Sequence, residues 1–303
     1  MTRAVRTAGD RSETVALLAL LRAAPSGTVW SDIACEVLNE GSAIAVLDAT
    51  QDGLVADPAC DEARAAAEAE LCAWEADGLD LVTVLSERYP RRLASVFDCP
   101  PFLFVRGNLI PQDRGMSVVG SRKASAEGLE MSRVAARLLA ERDLAVISGL
   151  AEGIDTAAHQ EALRIGARTV AVIGTGIRRY FPAANRKLQD EIASQGLVIS
   201  QFYPDQPPAK DTFSMRNGTM SGYGLATIVV EAGEHSDSRI QARKAADHGR
   251  PVILSHSVAT TTQWGREMAS SPWVAVADSS ESLADAIDLA LADANDDALQ
   301  PGL

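Results

Sequence analysis

The chain has 303 residues, 47% of them hydrophobic and 23% charged, and carries a formal net charge of −13. This composition is ordinary for a soluble globular protein and supplies enough apolar side chains for a large core. It argues against a membrane-spanning protein, because no apolar run approaches the length that crosses a bilayer. The first residues, MTRAVRTAGDRSE, contain no apolar signal core, so we expect a cytoplasmic location.

The acidic residues are concentrated at the two ends of the chain. Residues 1–110 hold 9 basic and 17 acidic residues, and residues 276–303 hold 7 acidic residues and no basic ones. Residues 111–275 hold 19 basic and 17 acidic residues, a net charge of +2. Since the local field governs a binding groove, this mildly basic middle permits nucleic-acid binding that is local and sensitive to salt.

The cysteines indicate reduced thiols rather than a metal site. They form no CxxC pair and have no histidine cluster nearby. We therefore expect neither a metal nor a cofactor. The cysteines are Cys35, Cys60, Cys72 and Cys99.

The first part of the chain is predicted to be a small helical domain. Residues 12–24 have the spacing of an amphipathic helix, and residues 31–50 and 60–77 are helix-compatible as well. We assign residues 1–80 to this domain, of the SAM-like type. Residues 81–108 are predicted to be a lead-in to the next domain, with a strand, a brief helix, a Pro-Pro break and a second strand.

From residue 116 onward, apolar strands alternate with helical segments. Such alternation predicts the α/β class, with an extended Rossmann-like, doubly wound and mostly parallel sheet. We assign residues 81–275 to this domain and residues 276–303 to a C-terminal helix and acidic tail. The predicted strands are 116–119, 144–148, 169–173, 197–200, 226–231, 251–255 and 273–277; the predicted helices are 125–142, 153–165, 185–195, 238–248 and 281–292.

Two strand–glycine–helix turns follow each other between residues 116 and 159. A helix N-terminus after a parallel strand favours anions, because its unpaired N–H groups and the helix dipole both attract negative charge. We predict a phosphate-binding surface here; for the first turn the alternative is a plain turn with a solvated arginine. The first turn carries Gly120, Ser121, Arg122 and Lys123, and the second carries Gly149 and Gly153.

Asp155 and His159 lie one helical turn apart after the second glycine turn. No third ligand stands at metal spacing, so zinc is not expected. A simple Asp–His pair, or a histidine satisfied in the core, is the expected role of His159.

The third strand is followed by a segment in which basic and aromatic residues alternate. Such residues suit stacking and phosphate contact on a single nucleic-acid strand, and packing of Phe181 on the sheet edge is an equal alternative. The segment comprises Gly174, Gly176, Arg178, Arg179, Tyr180 and Phe181.

Residues 213–222, FSMRNGTMSG, are polar and rich in glycine. This predicts a surface loop or helix start with Arg216 as a second phosphate clamp. Glu231 ends the TIVVE strand at the mouth of the same crevice, where we expect it to bind loop amides or a ribose. No Ser/His/Asp or Cys/His nucleophile order stands out, so we expect a protein without catalysis.

Seven segments in unbroken order across residues 80–257 resemble the DprA/Smf family of DNA-processing proteins. A match of this length is far more specific than one glycine motif. The resemblance implies an extended Rossmann-like fold, single-stranded DNA binding, self-association as a homodimer, and delivery of the protected strand to the RecA recombinase during natural transformation or recombination. The segments are YPRRLASVFDCPPFLFVRGNL, VVGSRKAS, VISGLAEGIDTAAHQEAL, TVAVIGTG with FPAANRKL, LVISQF, FSMRNGTMSG and TIVVEAGEHSDSRIQARKAADHGRPV.

The resemblance also implies a phosphate pocket, from which this sequence departs at several positions. Met215 and Gly218 stand where the family usually has arginines, so Arg122 is left as the principal cation with Arg216 as its main partner. Gln241 replaces a usual threonine, His256-Ser257 replaces a usual Pro-Gly, and we expect no C-terminal winged-helix module. By position, the implied pocket comprises Gly120, Ser121, Arg122, Gly149, Arg216 and Asn217, framed by a helix with Ser236 and Arg243.

Two other functions fit parts of the sequence. The RNGTMSG segment followed by a strand ending in Glu231 is similar to the lysine-decarboxylase-like phosphoribohydrolases, although the usual Pro-Gly-Gly start is absent. That similarity implies a nucleotide binder or nucleotide hydrolase. Alternatively, the acidic ends suit a scaffold that recruits a partner, but solvated acidic tails are common, and deletion of residues 293–303 is then expected to leave binding intact.

Overall fold

The computed structural model describes residues 8–50 and 58–299. Residues 1–7 of the predicted helical domain and residues 300–303 of the predicted acidic tail lie outside them. Four helices come first, of which α2 and α3 replace the single helix predicted at 31–50, because Ser42 caps α3 by accepting a hydrogen bond from the Ala45 amide at 3.1 Å. The four are α1 (Ala8–Ala23), α2 (Trp30–Glu40), α3 (Ala43–Ala49) and α4 (Pro58–Ala76).

Nine strands within residues 58–299 form one sheet, in the order β1-β2-β6-β5-β4-β3-β7-β8-β9. Strands β3 to β9 all run parallel to one another, whereas β2 runs antiparallel to β6 and β1 antiparallel to β2. The predicted doubly wound, mostly parallel fold is confirmed. The strands are β1 (Asp80–Thr83), β2 (Phe102–Gly107), β3 (Gly115–Gly120), β4 (Ala145–Ser148), β5 (Thr169–Val172), β6 (Leu197–Ser200), β7 (Thr227–Glu231), β8 (Val252–Ser255) and β9 (Val274–Ala277).

Helices cover both faces of the sheet. One layer contains α6, α7, α8 and α13, and the other contains α9 and α10 with the short α5 against α9. The helices that follow α4 are α5 (Arg91–Ala94), α6 (Ala126–Ala140), α7 (Ile154–Arg164), α8 (Arg186–Gln195), α9 (Lys210–Tyr223), α10 (Asp237–Asp247), α11 (His256–Thr261), α12 (Gln263–Ala269) and α13 (Ser280–Leu299). Among the described residues, no helix combines the length and the hydropathy that a bilayer crossing requires.

The first four helices pack near the end of the sheet that contains the antiparallel strands β1 and β2. Trp74 of α4 meets Phe104 of β2 edge-on at 5.1 Å between ring centroids, and Trp30 of α2 lies 5.6 Å from Phe102. Tyr203, after β6, contacts both tryptophans. The buried residues of α1–α4 therefore belong to the same apolar cluster as β2, β5 and β6.

The prediction of a surface loop or helix start at residues 213–222 is wrong about exposure, because the segment is helical and mostly buried. The segment forms most of α9, whose second half is buried, and Gly222 lets the helix approach Leu93 and Val96, since a Cβ there would lie 2.8 Å from each side chain. Its polar groups form hydrogen bonds inside the fold; for example, Ser221 Oγ lies 3.0 Å from His248 Nδ1. Composition indicated exposure because it shows neither close helix packing nor internal hydrogen bonds.

The strand order changes direction at β3, which lies between β4 and β7. In a parallel sheet, the loops after neighbouring strands meet at the carboxyl edge, and ligands bind at such a switch point. The turns after β3, β4, β5 and β7 all lie at this edge.

Candidate nucleic-acid interface

The two glycine turns contact each other through their backbones. The Ile154 amide at the start of α7 donates to the Ser121 carbonyl after β3 at 3.2 Å. Gly153, the cap of α7, has φ of 75°, and a Cβ there would collide with the same carbonyl. Gly120 ends β3 beside the Ile154 side chain. The first function of these glycines is thus to let the turns pack closely together.

Carboxylate side chains of the protein accept hydrogen bonds from the amides that were predicted to bind phosphate. Glu231, at the end of β7, accepts from the Ser125 amide at 3.0 Å and the Ser125 hydroxyl at 2.5 Å, at the start of α6. Asp155 accepts from the amides of Gly149 at 3.1 Å and Ala151 at 3.2 Å. The expected binding of loop amides by Glu231 is confirmed, and each glycine turn holds an internal anion.

Arg216 is a core cation, which corrects the prediction that its segment lies at the surface; its role as a second phosphate clamp stays a prediction. It is 8% exposed, and its Nη1 donates to the carbonyls of Gly149 at 2.7 Å and Val172 at 2.8 Å. Its Nε donates to Oδ1 of Asn217, which is also buried, at 3.1 Å. Burial raises the pKa of Asp155, and the charge of Arg216 opposes that shift. Arg216 therefore joins β4, β5 and α9 and compensates a buried carboxylate.

Arg122 is an exposed cation at this edge. Its Nη2 lies 2.7 Å from Asp237 Oδ2 at the start of α10, with side chains that are 53% and 63% exposed, and its guanidinium carbon lies 5.9 Å from the Phe213 ring centroid. Phe213 in turn lies 5.4 Å from the exposed Phe181. We call Arg122, Phe181 and Phe213 the edge site. Met215, one of the two residues that stand where the family usually has arginines, is exposed two residues after Phe213.

The other predicted site residues have different surroundings, and among them Gly174 contacts the edge site. Gly174 is covered by the Phe213 ring, and Gly176 packs on the Tyr203 and Pro204 carbonyls. Lys123 is exposed next to Arg122, and Arg243 is exposed six residues after Asp237 on α10. Tyr180 donates to Asp190 at 2.7 Å and so is held by α8.

Asn185 holds the second glycine turn in place. Its Nδ2 donates to the Leu150 carbonyl at 2.9 Å and to Thr156 Oγ1 at 2.8 Å. Leu150 itself has a positive φ of 60°. Replacing Asn185 by alanine leaves these buried acceptors without their donor, so we expect a loss of about 1–3 kcal/mol in the free energy of unfolding. Urea unfolding measures it; a change within about 0.5 kcal/mol, the range of ordinary surface substitutions, contradicts this role.

The structure contains a Ser–His–Asp arrangement that the sequence did not reveal. His248 Nε2 lies 2.7 Å from Asp98 Oδ1 and its Nδ1 lies 3.0 Å from Ser221 Oγ, while Lys244 also binds Asp98 at 2.7 Å. Ser221 is 2% exposed within α9, so no substrate reaches its hydroxyl. The arrangement ties the lead-in before β2 to α9 and α10. Within the described parts of the chain, no group of three or more His, Cys, Asp or Glu side chains is placed to hold a metal ion.

The fold and the edge site define a Rossmann-like α/β protein with an arginine and two aromatic rings at the carboxyl ends of its strands. The sequence model of the DNA recombination-mediator protein A family matches residues 80–281, more than half of the chain. The chain belongs to this family, as the resemblance to DprA/Smf proteins implied.

Individual relatives agree with this assignment. The chain is 41% identical over 172 residues to DNA processing protein DprA of Streptococcus pneumoniae, covering 56% of this chain and 61% of that protein. It is 37% identical over 192 residues to protein Smf of Escherichia coli, covering 63% of this chain and 51% of that protein. The chain thus spans less than two thirds of the length of these relatives.

Solved structures show the same fold. The crystal structure of DprA from Streptococcus pneumoniae superposes with a TM-score of 0.71 at 30% identity, covering 84% of this chain and 92% of that chain. DNA processing protein A from Helicobacter pylori superposes with a TM-score of 0.62 at 22% identity, covering 71% of this chain and 96% of that chain.

Proposed function

We propose that this protein is a non-catalytic DNA-processing protein that binds single-stranded DNA at the edge site. The observation that carries the proposal is the exposed Arg122 guanidinium beside the paired rings of Phe213 and Phe181. A cation next to aromatic rings provides phosphate contact and base stacking on one surface, which is how proteins hold single strands. Membership of a family of DNA-processing proteins supports the same ligand.

The aromatic rings favour a single strand over a duplex. Bases inside a duplex are stacked on each other and do not offer their faces to Phe181 or Phe213, whereas unpaired bases do. Each base that stacks on an aromatic side chain gains about 1–3 kcal/mol. Because the edge site has few exposed cations, base stacking supplies much of the affinity, and binding is weak and depends on salt.

Anisotropy titration of a labelled oligothymidine tests this proposal. Replacing Phe213 by alanine removes one of the two stacking rings, the one next to Arg122, so we expect affinity to fall about 10-fold or more. Arg122→Ala is expected to weaken binding by a similar factor and to lower the dependence on salt. Arg133→Ala on α6 removes the same charge from an exposed pair with Glu130 and serves as the matched control.

Two results count against the proposal. One is equal affinity for single strands and duplex at low salt, and the other is an Arg122→Ala variant that binds like Arg133→Ala. A thermal-shift screen with nucleoside monophosphates and second-messenger nucleotides addresses the alternative of a nucleotide binder or hydrolase. Stabilisation by one of these, without oligonucleotide binding, favours that alternative.

Family membership extends the proposal to partners. We propose that the protein forms a homodimer and delivers its bound strand to the RecA recombinase, in natural transformation or recombination. Light scattering reports the oligomeric state. RecA filament formation on strands already coated with a single-strand-binding protein reports delivery; no acceleration by this protein contradicts that role.

A further inference from the structure

We propose that Asp237 occupies Arg122 as an internal substitute for a DNA phosphate and thereby sets the affinity and salt dependence of the edge site. The inference rests on the proposed function, because it assumes that a strand binds at Arg122. It assigns to Asp237 a role in regulating binding rather than in holding the fold.

Three carboxylates face anion-binding groups at this edge, and they differ in how tightly they are held. Asp155 is buried and accepts two backbone amides, and Glu231 accepts both the amide and the hydroxyl of Ser125. Asp237 is 63% exposed and binds Arg122 through the Nη2–Oδ2 contact. Exposed ion pairs are weak because solvent and salt screen them. Asp237 is therefore the carboxylate of the three that a ligand displaces most readily.

A phosphate group fits the place of the Asp237 carboxylate on Arg122. The guanidinium fork binds carboxylate and phosphate oxygens with the same planar geometry. The exchange leaves the arginine next to Phe213, so the strand keeps both its phosphate contact and its stacking surface. While the pair is closed, however, the charge of Arg122 is neutralised and attracts a strand less.

The substitution Asp237→Asn separates these effects. Asparagine keeps an oxygen that accepts from Arg122 but removes the negative charge. We expect the variant to bind a labelled oligothymidine about 3- to 10-fold more tightly at low salt, with the gain shrinking at high salt as screening grows. Asp247→Asn, at the exposed last residue of the same helix, changes the net charge equally and is expected to stay within about 2-fold of the wild type.

The double variant Arg122→Ala/Asp237→Asn decides whether the two residues act together. If Asp237 acts through Arg122, adding Asp237→Asn to Arg122→Ala gives no gain beyond that of Asp247→Asn in the same background. A gain that persists without Arg122, or an Asp237→Asn variant that binds like Asp247→Asn while the wild type binds well, overturns the inference alone. A wild type that binds no single strand at low salt overturns the proposed function, and this inference with it.

Discussion

Replacing Gly149 by alanine is expected to destabilise the protein by about 3 kcal/mol or more. A Cβ at this position would overlap the Arg216 guanidinium. Hydrogen bonds to the carbonyls of Gly149 and Val172 hold this guanidinium in place. The arginine is 8% exposed and its Nη1 donates to both carbonyls, so moving it away breaks buried hydrogen bonds. Its displacement also takes a positive charge away from the buried Asp155, and a buried carboxylate left without a compensating charge is among the most costly single changes.

Urea unfolding of Gly149→Ala and of a matched glycine variant measures this effect. Gly233, after β7, has nothing within 4 Å of the position of an added Cβ, so Gly233→Ala is expected to change stability by less than about 0.5 kcal/mol. If Arg216 instead moved freely to bind phosphate, Gly149→Ala would lower DNA affinity and leave stability unchanged. That combination contradicts the assignment of Arg216 to the core.

The same contact shows where sequence reasoning stops. The strands and most helices of the Rossmann-like part were predictable, because apolar runs and helical segments alternate along the chain. Arg216 was predicted to be exposed because arginine in a polar, glycine-rich segment usually lies at the surface. Its burial depends on acceptors that lie far away in the sequence, the carbonyls of Gly149 and Val172. Pairings across such distances arise only from tertiary packing.

The edge site was partly predictable for the same reason. Arg122 and Phe181 were selected from local patterns of basic and aromatic residues. Asp237 and the ring of Phe213 were missed as partners of Arg122, although the sequence held a usable signal for Asp237. Asp237 directly follows the turn after β7, and β7 pairs with β3. The N-termini of the helices that follow these two strands therefore lie at the same edge of the sheet.

Lowering the pH from 7 to 5 is expected to cost about 2 kcal/mol of stability through His159 alone. His159 is 0% exposed, and burial lowers its pKa from 6.5 to about 3. Its Nδ1 lies 2.7 Å from Thr169 Oγ1, which itself donates to the Val146 carbonyl, so the neutral ring donates through Nδ1. Between these two pKa values the unfolded chain binds the proton and the folded chain does not, so stability falls as the pH falls, by about 1.4 kcal/mol per unit.

Urea unfolding at both pH values, for the wild type, His159→Gln and His235→Gln, isolates this contribution. The quantity of interest is the difference in stability between pH 7 and pH 5, which stays informative even if His159→Gln is less stable at both. Interactions with arginine lower the pKa of Glu161 to about 2, so its titration falls below this interval, and Asp155 titrates in every variant. We expect His159→Gln to lose about 2 kcal/mol less than the wild type, and His235→Gln, at an exposed histidine, to lose as much as the wild type. Equal losses in the wild type and His159→Gln would contradict this prediction, because they would mean that His159 accepts a proton in the folded protein although it is buried.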